Sequence, residues 1–364
     1  LEDYKFNYPN SAEYKVQIYP MFMEKALNLT KKGGVNSFIV TDTFLVGRYF
    51  SKIRNFILNT CSEIFITFCT FDAFKATVGF SIIYHFLKQT EEDKKANLGY
   101  SKFIANREIL SENLKKYNIA KFSTFKKNQH TVFRFYKSDT EEAIFKKIER
   151  NSLALGDVYF GRSALIYKSK DDHGNKINKE DLLSPNRESQ LYNKILISGG
   201  QVKRLDIEYE TKFIEVDPKN IKSGYFPDIY KSKKVFLRQT GDNLIAALDD
   251  EGYYAFNNLH IFSNEIDENL NYYLAAYLNS KICNFYYQIY TREVGRVLPQ
   301  IKIDTVYQLP IINNYKDLNG EVKELFFNSS LGTKNKLDDL NSYFYNLYSF
   351  SQDEIDYVEE NTKY

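Results

Sequence analysis

At 364 residues the chain is long enough for two or three domains, and 43% hydrophobic residues is ordinary for a globular protein. A formal net charge of +2 is too balanced to announce a nucleic-acid protein by charge alone. No apolar run approaches the ~18 residues of a membrane span and the N-terminus shows no signal-peptide pattern, so a cytoplasmic protein without membrane contact is expected.

The three cysteines, Cys61, Cys69 and Cys283, fit no metal template, and their odd number argues against a disulfide framework. Reduced thiols and no metal site are therefore expected. The 30 Tyr and 29 Phe can fill a core and still leave rings for surfaces.

In chain order, Ile18–Leu29 places Phe22, Ala26 and Leu29 on one helical face. Lys31-Lys32-Gly33-Gly34 supplies cations and glycines that end this helix. Val35–Val40 reads as a strand, Arg48–Asn59 as an amphipathic helix, Glu63–Cys69 as a second strand and Thr77–Phe86 as a third. The αβαβ part predicts parallel pairing of the first two strands in a helix-covered sheet. The short connection between the last two predicts an antiparallel pair.

Helix, "KKGGVNSFIV", helix, then "FDAFKATVGFSIIY" resembles the second half of the catalytic domain of N6-adenine DNA methyltransferases of the restriction-modification type. In that family a late hairpin carries an aromatic ring that stacks on an adenine flipped out of the duplex. The resemblance carries this role to Phe74; the plain alternative is a core ring beside a strand. The family's glycine motif for S-adenosylmethionine and its Asn-Pro-Pro-Tyr loop occur nowhere in the chain. The resemblance therefore implies the C-terminal part of a larger enzyme, whose cofactor site lies outside this chain and which is inactive without it.

Ser101–Lys137 holds nine Lys/Arg against two acids, with Phe103, Tyr117, Phe122, Phe125, Phe133 and Phe135 interleaved. It either tracks a phosphate backbone or, over His130–Tyr136, forms a half-buried strand. Asp139–Ile148 reads as a helix with acids in its first turn.

"LALGDVYFGRSALIY", beginning at Leu153, and Lys194–Val216 are similar to the opening of a TaqI-type target-recognition domain. There, Gly199-Gly200 suit a tight turn, with positive φ a possibility, that sets Lys203 and Arg204 at the mouth of a hairpin. Phosphate contact or base reading suits such residues. Lys234–Phe262 also matches the family pattern. Val235–Leu237 and Leu244–Leu248 read as strands around a Gly241-Asp242-Asn243 turn, with Arg238 ending the first. A basic residue there, beside amides and hydroxyls at a turn, suits reading the edge of a polar polymer; the plain alternative is an ordinary hairpin with a capping arginine. Leu270–Tyr290 reads as one helix, Arg292 and Arg296 flank a loop where contact with the DNA backbone is expected, and a strand pair ends at Gln308–Ile311. Leu337–Glu360 reads as two helices, with Ser351 and Glu354 forming a capping box. Residues 315–364 hold five Lys against ten Asp/Glu, which argues against DNA contact.

The expected architecture is thus α/β plus α+β. A truncated methyltransferase-type, Rossmann-like sheet with a late antiparallel hairpin spans 1–150, a mixed α+β target-recognition domain spans 151–312, and a helical tail spans 313–364. The expected partners are double-stranded DNA and either the N-terminal remainder of the enzyme or an associated endonuclease. The resemblance implies sequence-specific recognition for methyl transfer from S-adenosylmethionine to adenine N6. A non-catalytic specificity subunit and a degenerate interaction protein are the alternatives.

Overall fold

The computed structural model describes residues 2–13, 16–69, 80–91, 97–104, 117–296, 298–327 and 332–364. It is a mixed α/β structure with several sheets, and it divides into two compact units, Leu1–Glu142 and Ala143–Tyr364.

The first unit is built on a five-stranded sheet: β1 (Val35–Thr41), β2 (Cys61–Cys69), β3 (Ser81–Lys88), β4 (Leu98–Ile104) and β5 (Asn118–Lys121). The spatial order is β1-β3-β2-β4-β5. The expected antiparallel pairing of the second and third strands is present, with Ile66 opposite Tyr84. The expected parallel pairing of the first two is not, because β3 lies between them and runs antiparallel to both. Burial explains the order. β2 is buried along most of its length, whereas Val35, Ser37, Phe38 and Ile39 of β1 are exposed, so β1 takes the edge. The parallel partner of β2 is instead β4. Ile64, Ile66 and Phe68 of β2 and Ile82, Tyr84 and Phe86 of β3 alternate onto one buried face, as the two-residue strand period requires.

The helix Ile18–Leu29 forms as read, but its buried side differs. Pro20, Met23, Glu24 and Leu27 face inward, while Phe22 and Leu29 are exposed. The rotation follows from Glu24, whose carboxylate accepts from Asn10 Nδ2 at 2.8 Å and Ser11 Oγ at 2.5 Å. Nor do Lys31 and Lys32 lie in its last turn. Lys88, arriving on β3, donates to Leu27 O at 2.8 Å and Thr30 O at 2.6 Å and supplies the cation there.

His130–Tyr136 is not a strand. His130 and Thr131 have φ of 54° and 58°, a region costly for a β-branched residue. They stay there because the fully buried Arg54, on the helix Ser51–Thr60, donates Nη2 to His130 O at 2.8 Å and Nε to Thr131 O at 3.0 Å. The rings of the basic segment serve the core: Phe122, Phe125, Phe133 and Phe135 are all buried against the sheet, with Lys126 and Lys127 left outside. Phe103 stacks on Phe68 at 4.4 Å between centroids. Core rings cannot stack along a nucleic-acid backbone, so neither reading of that segment describes these rings.

The second unit contains two four-stranded sheets. In one, Lys234–Arg238 pairs antiparallel with both Ala246–Asp249 and Leu259–Ser263, and the latter pairs with Phe160–Ser163. The other runs Tyr254–Ala255, Tyr192–Leu196, Phe213–Glu215, Leu183–Ser184. In place of a strand pair ending at Ile311, the short helix Ile303–Val306 leads to the single strand Pro310–Ile312, which pairs with Ser152–Ala154.

The segment from Leu270 to Tyr290 is two helices, Asn271–Asn279 and Lys281–Thr291. Ser280 breaks it: its ψ is 150°, its Oγ accepts from Cys283 N at 3.2 Å, and it also donates to Tyr277 O at 2.7 Å. Tail helices Thr333–Leu347 and Gln352–Asn361 belong to this unit, and the Ser351–Glu354 capping box forms as read. All three cysteines are buried and unbridged; burial pushes Cys61 up to about 12.

Two neighbouring tyrosines offer a stability test. The Tyr277 hydroxyl donates to Pro310 O, whereas the buried Tyr273 hydroxyl has no partner among the described residues. Tyr273→Phe is expected to leave stability unchanged or raise it by about 1 kcal/mol, and Tyr277→Phe to lower it by about 1 to 2 kcal/mol. Urea unfolding midpoints compare the two; equal losses would mean that the Tyr273 hydroxyl is satisfied.

Candidate nucleic-acid interface

The turn at Ser198–Gln201 is a single 3-10 turn closed by a capping box. Ser198 Oγ accepts from Gly200 N at 3.1 Å, and Gln201 Oε1 accepts from Ile197 N at 2.7 Å and Ser198 N at 3.0 Å. Neither glycine has positive φ; side-chain capping makes the turn, so left-handed backbone is not needed.

Beyond it, Val202–Lys203 pairs with Asp206–Ile207, leaving Arg204 and Leu205 at the tip. The tip folds back on the longer hairpin: Leu205, at φ 63°, donates its N–H to Ala246 O at 2.9 Å. Lys203 is half-exposed and pairs with Glu208 at 3.1 Å. Arg204 donates Nη1 to Leu244 O at 2.9 Å, and its guanidinium lies 3.8 Å from the centre of the Tyr364 ring. Arg238 donates Nε to Val202 O at 2.7 Å and Nη2 to Gly200 O at 3.4 Å. It therefore ties the small hairpin to the large one, as a capping arginine would. Burial lowers both arginines from their ordinary value.

Arg292 ends its helix in the left-handed conformation, with φ 55°. Arg296 donates Nε to Arg292 O at 3.0 Å and lies 3.6 Å from the Glu293 carboxylate. The loop's return leg is pinned to the end of the Arg238 strand. Gly241 N donates to Pro299 O at 3.1 Å, Ile301 N donates to Gln239 O at 2.8 Å, and His260 Nε2 lies 2.8 Å from Ile301 O. The structure thus brings Lys203, Arg204 and Arg238 into one cluster and joins the Arg292–Arg296 loop to its edge. Phe74 lies outside the described residues.

Sequence reasoning missed what holds this cluster. Asn284 Oδ1 accepts from Leu244 N at 2.7 Å, and Asn279 Nδ2 donates to Ala246 O at 2.7 Å, so the helix pair grips the turn of the large hairpin. Lys363 pairs with Asp242 at 2.6 Å, and Gln288 Nε2 donates to Lys363 O at 2.6 Å. Buried amides within an apolar helix were a visible signal; Tyr364, some 160 residues from Arg204, gave none. Among the described residues no cluster of His, Cys, Asp or Glu could hold a metal, and no helix is long and apolar enough to cross a membrane.

Residues 194–311 match the family model of the TaqI-like C-terminal specificity domain, and residues 1–74 match that of the Eco57I restriction-modification methylase. The chain is thus related to restriction-modification methylases and carries a TaqI-like specificity domain. No curated protein matches it. Similar solved structures include the type IIG restriction endonuclease BpuSI, at 13% identity and a TM-score of 0.36, covering 93% of this chain and 50% of that one. Another is the type IIL restriction-modification enzyme MmeI in complex with DNA, at 10% identity and a TM-score of 0.44, covering 94% and 51%. A third is a nuclease-deletion mutant of the type ISP enzyme LlaGI in complex with a DNA substrate mimic, at 9% and 0.46, covering 90% and 39%. The chain spans about half or less of the length of these neighbours.

Proposed function

We propose that this chain is the sequence-recognition part of an adenine-N6 DNA methyltransferase of a restriction-modification system, acting on double-stranded DNA. The observation that carries the reading is the match of residues 194–311 to a specificity domain, together with the basic hairpin that the fold builds inside it. The match of residues 1–74 to a methylase favours this over a non-catalytic specificity subunit.

In this reading the first unit is one side of the methyltransferase sheet. The exposed edge strand β1, with Val35, Phe38 and Ile39 uncovered, suits pairing with the rest of that Rossmann-like domain. S-adenosylmethionine, which supplies the methyl group, does not fit the described residues here. Gly33-Gly34 precede a strand, and among the described residues of this unit no glycine-rich turn leads from a strand into a helix. The cofactor is therefore assigned to the remainder of the enzyme, and no step is derived through it. Phe74 is the proposed stacking residue for the flipped adenine, and Lys203, Arg204, Arg238, Arg292 and Arg296 are the proposed DNA contacts. Of these Lys203 suits a phosphate best, being half-exposed with only a screened ion pair.

The test is duplex binding by the chain across a salt series, after selection from a random duplex pool. Enrichment of one short motif supports the reading. Absence of enrichment with no salt-sensitive binding would sink it. Lys203→Ala is expected to reduce the log–log salt slope by about 0.9 for one lost phosphate contact. An unchanged slope removes Lys203 from the interface.

A further inference from the structure

We infer that Arg204 reads a guanine, and that Tyr364 is the positioning residue that presents it. The inference rests on the proposed DNA recognition and divides the basic cluster by task.

The three cations of the cluster differ in what their donors do. Arg238 spends Nε and Nη2 on the carbonyls of Val202 and Gly200, inside the protein. Lys203 is a flexible ammonium beside an exposed carboxylate. Arg204 alone of the three is fixed while its side-on pair of donors, Nε and Nη2, is unspent. Its Nη1 is anchored on Leu244 O, and the Tyr364 ring covers one face of the guanidinium at 3.8 Å. Its Nε and Nη2 have no partner among the described residues, and neither is sealed from solvent.

Such a guanidinium has lost most of its rotamer freedom before any ligand arrives, so a hydrogen bond to it costs little further ordering. Two adjacent N–H donors in one plane match a pair of acceptors in one plane. On a base edge in the major groove, O6 and N7 of guanine offer that pair, and no other base does. A phosphate would also accept the fork, but it would give no preference among bases.

The platform is itself built. The Tyr364 hydroxyl donates to Asn279 O, and Lys363 N donates to Gln288 Oε1 at 3.0 Å, so the ring is held from the helix pair. The acidic tail thereby enters recognition without touching DNA: one of its rings sets the angle of an arginine on a distant hairpin.

The experiment uses the whole chain and the duplex motif that it selects, together with single-position variants of that motif in which each G·C pair is replaced by A·T. Wild type should discriminate at one guanine by about 5- to 100-fold. Arg204→Lys, which keeps the charge and loses the fork, should abolish that discrimination and leave the salt slope unchanged. Tyr364→Ala should weaken it at the same guanine, and Tyr364→Phe should retain it. Lys203→Ala should lower the salt slope and leave the guanine preference intact. Tyr364→Ala lies outside the hairpin and decides the matter should Arg204→Lys fail to fold. Guanine preference retained in folded Arg204→Lys, or in Tyr364→Ala, overturns the assignment while DNA recognition stands. A wild-type chain that enriches no motif overturns the assignment, and one that also shows no salt-sensitive binding overturns the recognition reading with it.

Discussion

Lys234→Met is expected to lower the stability of the second unit by about 3 to 5 kcal/mol, the usual loss when one partner of a buried ion pair is removed. Lys234 and Asp249 face each other across the large hairpin, opposite one another in register, and both side chains are fully buried. Burial pulls the ammonium down from its ordinary value and pushes the carboxyl up, while their attraction opposes both shifts. Each charge is therefore tolerated only because the other is present. Lys234 also donates to Tyr230 O at 2.8 Å, and Asp249 accepts from Glu251 N at 2.9 Å and Tyr253 N at 3.0 Å.

Those backbone bonds shape the double variant. Lys234→Met with Asp249→Asn removes both charges and keeps one of the two acceptor oxygens of the second turn, so it should recover part of the loss. Lys234→Met with Asp249→Leu should recover less, since both N–H groups, that of Tyr253 buried, lose their partner. Urea unfolding of the wild type, Lys234→Met, Asp249→Asn and the corresponding double variant gives the coupling energy. A loss below about 1 kcal/mol in Lys234→Met would show that water reaches the pair.

Arg54→Met is expected to cost at least about 3 kcal/mol in the first unit, because several backbone carbonyls lose their donor together. Besides His130 O and Thr131 O, the guanidinium serves Phe44 O at 2.6 Å and Gly47 O at 2.8 Å. One side chain thus closes the end of the short helix Thr43–Val46 and fixes the strained 130–131 turn. Arg54→Lys should lose nearly as much, since one ammonium on a straight stem cannot serve acceptors spread around a planar fork. Thr131→Gly in the Arg54→Met background should return about 1 kcal/mol, because glycine occupies positive φ without penalty. Thermal unfolding measures all three. Arg54→Lys with wild-type stability would sink the account.

By itself, the sequence determined what depends on neighbours along the chain. The helix at Ile18–Leu29, the strands around Val35, Glu63 and Val235, the Gly241 turn and the capping box at Ser351 are set by side-chain periodicity and by residues three or four apart.

Tertiary structure decided what depends on residues far apart. β3 took the place beside β1 because sheet order follows which strands can be buried on both sides, and that compares segments with one another. Glu24 turned its helix because Asn10 and Ser11 had donors to offer. In the candidate interface, composition pointed to Lys203, Arg204 and Arg238 alike. Only the fold separated them, by setting Val202 O before Arg238 and Tyr364 over Arg204. A hydrogen bond or a stacked ring acts within a few ångströms, and no regularity of the sequence tells which distant residues will come that close.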